Sequence, residues 1–255
     1  MVTGEETASL DGLVVVPAYK EGLSESERFS LRRCVEVFAP HGVALCVPEK
    51  LALDDYLREY EGFAVRRFSA EYFADIAGYN RLMLSAEFYS AFAAHTYILI
   101  YQLDAYAFSD RLLEFCALGY DYIGAPWSNG LARSKFRGAA RLKRAFKWLP
   151  VTYECEVGNG GFSLRRVQTM LAYLRNHPRA ARRWKFNEDL FWAVAGKRHP
   201  REMRVAPLPI ARDFAFEENP SRNLELNRGQ LPFGCHAFDK HEPEVYRRLF
   251  HLRRG

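Results

Sequence analysis

Two short apolar runs constrain this chain more than anything else in it. Leu13-Val14-Val15-Val16-Pro17 and Tyr97-Ile98-Leu99-Ile100-Tyr101 contain no charged residue. A strand made from either run has to be covered on both faces. A sheet flanked by helices does this, and the sequence between the runs supplies helices. Ser24 and Glu27 have capping-box spacing ahead of a helical pattern through Leu31, Val35 and Phe38. Val43 to Val47 reads as a second strand, Asp54 to Tyr60 as a short helix and Phe63 to Phe68 as a third strand. Tyr79 to Ala94 reads as a helix, with Leu82, Phe88, Tyr89 and Phe92 among its apolar positions. Strands alternating with helices predict an α/β fold with a mainly parallel central sheet.

The second half continues the pattern with one interruption. Ser109 is placed to cap a helix over Asp110 to Leu118, and Asp121 to Trp127 reads as a short strand and turn. Val167, Met170, Leu171 and Leu174 fall on one helical face. Between these stretches, Ser128 to Tyr153 changes character. Arg133, Lys135, Arg137, Arg141, Lys143, Arg144 and Lys147 occur there without an acidic residue among them, interleaved with Phe136, Phe146 and Trp148. This segment reads as a partly helical basic insertion. It contributes to a strong polarity: residues 1–127 carry 10 basic and 19 acidic side chains, a balance of −9, and residues 128–255 carry 26 basic and 12 acidic, a balance of +14. The second half is therefore suited to an anionic ligand or surface, or else presents a solvated basic face.

A length of 255 residues and a hydrophobic share of 49% suit a globular chain with a substantial core. No apolar run approaches the roughly 20 residues that cross a bilayer. The acidic, polar start from Met1 to Asp11 does not read as a signal or transit peptide. Cys34, Cys46, Cys116, Cys155 and Cys235 are odd in number, far apart and form no CxxC pair, which argues against a disulfide framework or a zinc ribbon. The expected setting is the cytoplasm.

Three places can carry chemistry. Gly158-Asn159-Gly160-Gly161 precedes a strand and an amphipathic helix, and side chains absent at Gly160 and Gly161 allow close approach of a ligand to the backbone. Asn187-Glu188-Asp189 opens a helix, with Asn187 as the expected cap and two carboxylates in the first turn, where the helix dipole favours their charged form. Asp104 follows the second apolar strand, and ligands of open α/β sheets bind at the carboxyl ends of strands. There an acid can hold a metal or a ligand hydroxyl.

These segments, with Tyr79-Asn80-Arg81-Leu82-Met83-Leu84, Tyr101-Gln102-Leu103-Asp104-Ala105, Asp121-Tyr122-Ile123-Gly124-Ala125-Pro126-Trp127, Gly158 to Arg165 and Pro232-Phe233-Gly234-Cys235-His236, resemble the block order of the bacterial DUF5672 family, which is grouped with GT-A glycosyltransferases. The resemblance implies one GT-A domain over 1–255: a nucleotide-binding half about 11–127, the basic insertion about 128–153 and an acceptor-binding half about 154–255. It implies transfer of a sugar from a nucleotide-sugar donor, a UDP-sugar being the expected form, to a hydroxyl of a glycan, a lipid-linked molecule or another acceptor. Inversion is the expected outcome, with Asp189 as general base and Glu188 as a ligand of the acceptor hydroxyl.

The same resemblance places Asp104 at the last acid of a DxD motif and His236 at a C-terminal metal position, together holding Mn²⁺ or Mg²⁺. Gln102 stands where that motif has its first acid, and its amide can bond ribose hydroxyls. Pro17, Ala18 and Tyr19 form the loop expected to receive the base, with Tyr19 either stacking on it or lying on the surface. Arg81 suits a diphosphate or ribose, or a structural ion pair. The basic insertion suits an anionic acceptor and peripheral contact with the inner membrane surface. Nucleic acid is not an expected partner, since aromatic RNA-binding patterns are absent. Two other functions remain in view, a non-catalytic carbohydrate- or nucleic-acid-binding protein and a sugar-nucleotide nucleotidyltransferase. Val16 to Gly22 lacks the phosphate-gripping glycine-rich loop that the second would need.

Overall fold

The computed structural model describes residues 10–134 and 152–252. Among these the strands are β1 (Gly12–Pro17), β2 (Val43–Pro48), β3 (Ala64–Phe68), β4 (Tyr97–Tyr101), β5 (Tyr106–Ala107), β6 (Tyr122–Ile123), β7 (Pro126–Ser134), β8 (Thr152–Val157), β9 (Phe162–Arg166), β10 (Ala215–Phe216) and β11 (Gly234–Cys235). The α-helices are α1 (Glu25–Phe38), α2 (Asp54–Glu59), α3 (Ile76–Met83), α4 (Ala86–Ser90), α5 (Leu112–Ala117), α6 (Val167–Asn176), α7 (Pro178–Arg182), α8 (Glu188–Arg198), α9 (Leu208–Phe214), α10 (Pro220–Leu226) and α11 (Pro243–Leu252).

The central sheet has the order β3-β2-β1-β4-β9-β6. The first four strands run parallel, and β9 is antiparallel to both β4 and β6. The two apolar runs form the adjacent central pair, β1 and β4. Their side chains divide between the faces with period two. Val14, Val16, Leu99 and Tyr101 join the core under α1 and α5, with Leu31, Phe38, Leu112 and Phe115. Val15, Ile98 and Ile100 join the opposite core, with Phe88, Tyr89, Met170 and Trp192. Both faces of the sheet are therefore covered, as runs without charge require.

Local chemistry explains several helix ends. The Ser24–Glu27 capping box is formed in full: the Ser24 amide donates to Glu27 Oε2 at 2.8 Å and the Glu27 amide to Ser24 Oγ at 3.3 Å. The helix expected over Tyr79 to Ala94 is instead two. It starts earlier, where Asp75 Oδ1 accepts from the Gly78 amide at 2.6 Å, and α3 ends at Met83. Ser85 then breaks the run, its hydroxyl accepting from the Phe88 amide at 3.0 Å to begin α4. The helix expected after Ser109 begins later, at Leu112. Arg111 occupies the cap position without a side-chain capping bond, so neither Ser109 nor another side chain caps this helix, although the Leu112 amide donates to Asp110 Oδ1 at 3.4 Å.

Two further sheets attach to this frame. β10, β11 and β5 form a three-stranded sheet, with β11 parallel to β10 and antiparallel to β5. β7 and β8 form an antiparallel ribbon whose register shifts between Pro126 and Leu131. The turn expected to end near Trp127 thus runs on as a strand, and both margins of the expected insertion belong to this ribbon. Lys135, Phe136, Arg137, Arg141, Lys143, Arg144, Phe146, Lys147 and Trp148, and any helix expected among them, lie outside the described residues. No helix among the described residues is long and apolar enough to cross a membrane.

Gly124 is the tightest joint between sheet and glycine run. A Cβ at this position would lie 1.6 Å from the Gly158 carbonyl oxygen. Backbone cannot swing aside as a long side chain can, so Gly124→Ala should destabilise the fold by about 2–4 kcal/mol. Equilibrium denaturant unfolding measures this directly, and wild-type stability in the variant would contradict the close approach.

Candidate active site

The carboxyl ends of β1 and β4 open into a cleft of about 850 Å³. Pro17, Ala18 and Tyr19 line it from the loop after β1, and Gln102 and Asp104 from the loop after β4. Gly160 and Gly161, Glu188 and Asp189, and His236 complete the walls. One backbone bond seats the glycine run beside the strand end: the Gln102 amide donates to the Gly161 carbonyl at 2.8 Å. Tyr19 is 60% exposed on the rim. Arg81 stands apart from these residues. It is exposed and does not line the cleft, whereas Asn80, one position earlier on α3, does.

Side chains at Gly160 and Gly161 would press on the protein's own neighbouring side chains. A Cβ on Gly160 would lie 2.1 Å from Glu188 Oε1, and one on Gly161 would lie 2.1 Å from His236 Nε2. Space expected to be free for a ligand is thus partly taken by the two groups that flank it. The turn is made by Asn159, at φ 70°, whose Oδ1 accepts from the Gly161 amide at 3.0 Å.

At one end of the cleft, charged and polar groups converge on His236. Its Nε2 lies 3.0 Å from Asp104 Oδ1 and 3.1 Å from Gln102 Oε1. Its Nδ1 lies 3.0 Å from Glu217 Oε1, and Lys240 Nζ donates to Asp104 Oδ2 at 2.6 Å. The small sheet brings these distant segments together, with the His236 amide donating to the Phe216 carbonyl at 2.9 Å. Burial alone would lower the His236 pKa, but the hydrogen bonds and charges of Asp104 and Glu217 outweigh it and raise the value to about 10. Burial likewise opposes ionisation of Asp104, yet His236 and Lys240 hold its carboxyl well below the usual range.

This donor set suits a divalent cation. Asp104 Oδ1 and Gln102 Oε1 both lie beside His236 Nε2, while Glu217 holds the far nitrogen of the ring as an outer partner does for a ligating histidine. Protonated His236 and Lys240 supply the positive charge that these oxygens call for. A cation would take the place of the Nε2 proton, and the two forms exclude each other.

At the other end, α8 presents Glu188 and Asp189. The cap expected from the Asn187 side chain does not form. The Glu188 amide instead donates to Asn80 Oδ1 on α3, at 2.9 Å. Glu188 is buried, and its Oε1 accepts from Arg165 Nη2 at 2.8 Å. Its Oε2 is buried without a hydrogen-bond partner. Asp189 is part-exposed, and its Oδ1 accepts from the Leu190 amide at 2.6 Å. The charge-favouring effect expected from the helix end is overridden. Burial first, and then the neighbouring Glu188 charge, push the Asp189 pKa up to about 7.

Sequence reasoning left several residues in or behind the cleft unread. Asn80 and Arg165 lay within segments already singled out, but nothing local marks them as partners of Glu188. Glu217 and Lys240 carry no motif, and only the fold reveals their approach to His236 and Asp104.

No curated protein matches the sequence. Solved structures do match in fold. Mouse xyloside xylosyltransferase 1 in its apo form has a TM-score of 0.53 at 11% identity, over 89% of this chain and 97% of that one. The WbbM bifunctional glycosyltransferase has a TM-score of 0.55 at 11% identity, over 93% of this chain but only 47% of that one. Core-mannan synthase A from Aspergillus fumigatus, in an Mn/GDP form, has a TM-score of 0.50 at 8% identity, over 76% and 71% of the two chains. These likenesses show the GT-A fold. Residues 62–236 match the family described as proteins of unknown function, DUF5672, and the chain therefore belongs to that family.

Proposed function

We propose that the protein is a glycosyltransferase that moves a sugar from a nucleotide-sugar donor to an acceptor hydroxyl with inversion. The observation that carries this reading is Asp189, a cleft carboxylate with a pKa raised to about 7, in the same cavity as the Asp104–His236 cluster. A general base serves best when its pKa lies near the working pH. In this reading Asp189 takes the acceptor proton while the acceptor oxygen bonds to the anomeric carbon and the bond from that carbon to the diphosphate breaks. Glu188 keeps its unpartnered Oε2 for an acceptor hydroxyl. Pro17, Ala18 and Tyr19 receive the base, Gln102 the ribose, and Gly160 and Gly161 the floor beneath the sugar. Arg81 lies outside the cleft lining, and no donor contact is assigned to it.

Asp104 and His236, with Gln102 beside them, would hold Mn²⁺ or Mg²⁺. A cation there offsets negative charge on a leaving diphosphate. The Mn/GDP form of core-mannan synthase A supports a divalent cation and a nucleoside diphosphate as the chemistry to test. A UDP-sugar is the first donor to try and a GDP-sugar the second. The acceptor is a glycan, a lipid-linked molecule or another hydroxyl compound. The positive balance of residues 128–255 supports peripheral contact with an anionic membrane surface at the cytoplasmic face.

Two outcomes follow from this assignment. A base must be ionised, so turnover should rise with pH through about 7 and level off above it. Asp189→Asn should lower turnover by about 100-fold or more and leave donor binding near normal. Rates and donor titrations on wild type and variant test both, and near-wild-type turnover at saturating acceptor would refute the role of Asp189.

The cation makes a separate demand. Asp104→Ala and His236→Ala should each weaken Mn²⁺-dependent donor binding by about 10-fold or more. Calorimetric titration with UDP- and GDP-sugars, with and without Mn²⁺, reads this. If chelator-treated wild type binds donor at full strength, Asp104 and His236 act on the donor without a metal.

A further inference from the structure

Helix α8 begins in the cleft at Glu188 and ends at a second cluster. His199 caps its carboxyl end, about 16 Å along the axis from Glu188 at 1.5 Å per residue. His177 caps the carboxyl end of α6, and Glu202 follows one turn after His199. His177 Nε2 lies 3.0 Å from Glu202 Oε2 and 3.2 Å from His199 Nδ1. His199 Nδ1 lies 3.6 Å from Glu202 Oε1. No part of the cleft lining belongs to this group.

We propose that His177, His199 and Glu202 form a second cation site, taking Zn²⁺ or a similar late transition-metal ion. The spacing is the first argument. Zinc binds histidine nitrogen and carboxylate oxygen at about 2.0–2.1 Å, so ligand atoms in a tetrahedral site lie about 3.3 Å apart. With one ligand atom from each residue the three lie within 4.8 Å of one another, and the two separations made by His177 Nε2, 3.0 and 3.2 Å, are close to that edge. Two imidazoles and one carboxylate are a donor set suited to zinc and leave a fourth position for water.

The surroundings are the second argument. Two imidazole nitrogens at 3.2 Å need a shared proton or a cation between them. The ends of α6 and α8 both turn their carboxyl termini here, where the helix dipoles favour positive charge. The ligands are held before any ion arrives. The His177 amide donates to the Tyr173 carbonyl at 2.9 Å, the His199 amide to the Ala195 carbonyl at 2.8 Å, and the Glu202 amide to the His199 carbonyl at 2.9 Å. The Tyr173 ring packs against His177 at 4.3 Å and against His199 at 5.7 Å. The cation would pin α6 to α8 and so brace the helix that carries Asp189.

The test uses the whole chain after chelator treatment, in an Asp104→Asn/His236→Gln background that disables the cleft cluster. Co²⁺ serves as the spectroscopic probe and Zn²⁺ as the competitor. The background protein should bind one Co²⁺ with the intense visible absorption of a tetrahedral site, and Zn²⁺ should displace it. Zn²⁺ at about 100-fold over its Kd should raise the melting temperature by about 5–10 °C. Adding His177→Gln and His199→Gln should abolish both signals, and Glu202→Gln should weaken Co²⁺ binding. Circular dichroism in chelator checks that the variants still fold. Equal Co²⁺ spectra and Zn²⁺ shifts with and without the two histidines would overturn the proposal, as would the absence of both signals in the background protein. In those cases a proton, not a metal, joins the imidazoles. The readouts are independent of glycosyl transfer, so they stand or fall apart from the function proposed above.

Discussion

The buried ion pair between Arg165 and Glu188 organises the site. Arg165 is wholly buried on β9 and uses its guanidinium in several directions. Besides Glu188, it donates to Tyr89 Oη at 3.0 Å and to the Gly160 carbonyl at 3.3 Å. It thereby ties the central sheet, the second core, the glycine turn and the start of α8 to one point. A buried pair of this kind adds little net stability against an apolar substitute, but losing one partner is costly because a bare charge remains. Glu188 also sets the electrostatics of its neighbour. Its negative charge adds to burial in raising the Asp189 pKa, whereas Arg165 lowers it. The pair thus helps to position α8, and its Glu188 charge adds to burial, the larger cause, in raising the Asp189 pKa.

The opposite end of the cleft is built in a contrasting way. Asp104, His236, Glu217 and Lys240 alternate in sign and come from the loop after β4 and the segments around β10 and β11. Here opposite charges beside Asp104 and His236 outweigh burial and hold both in their charged forms. At α8, like charges sit side by side and burial prevails. A single cavity therefore keeps one carboxylate firmly charged and another near its titration point, the separation of roles that acid–base chemistry requires.

Much of the frame was legible because it depends on short-range patterns. The charge-free runs at β1 and β4 read as buried strands, and Ser24 with Glu27 announced α1. Interruptions were harder to see. The apolar spacing through Phe88 and Phe92 continues across Ser85, and periodicity does not register a serine whose hydroxyl starts a new turn. Distant partners could not be read at all. Asn187 has the right type and position for a cap, yet the Glu188 amide is taken by Asn80, 108 residues from Glu188. The dipole argument for a charged Asp189 was sound locally and lost to burial, which depends on tertiary packing. The glycine run was singled out as a place where a ligand could approach the backbone, and the groups that flank it in the fold are Glu188 and His236.

That last arrangement limits how this family member can diversify. Side chains cannot be added at Gly160 or Gly161 without striking a group from each end of the cleft. Variation that discriminates one ligand from another is therefore confined to the rim and side walls, at positions such as Tyr19, Asn80 and Asp239. The base of the cavity is packed by the protein's own groups, and a library aimed at altered preference would do best to leave it untouched.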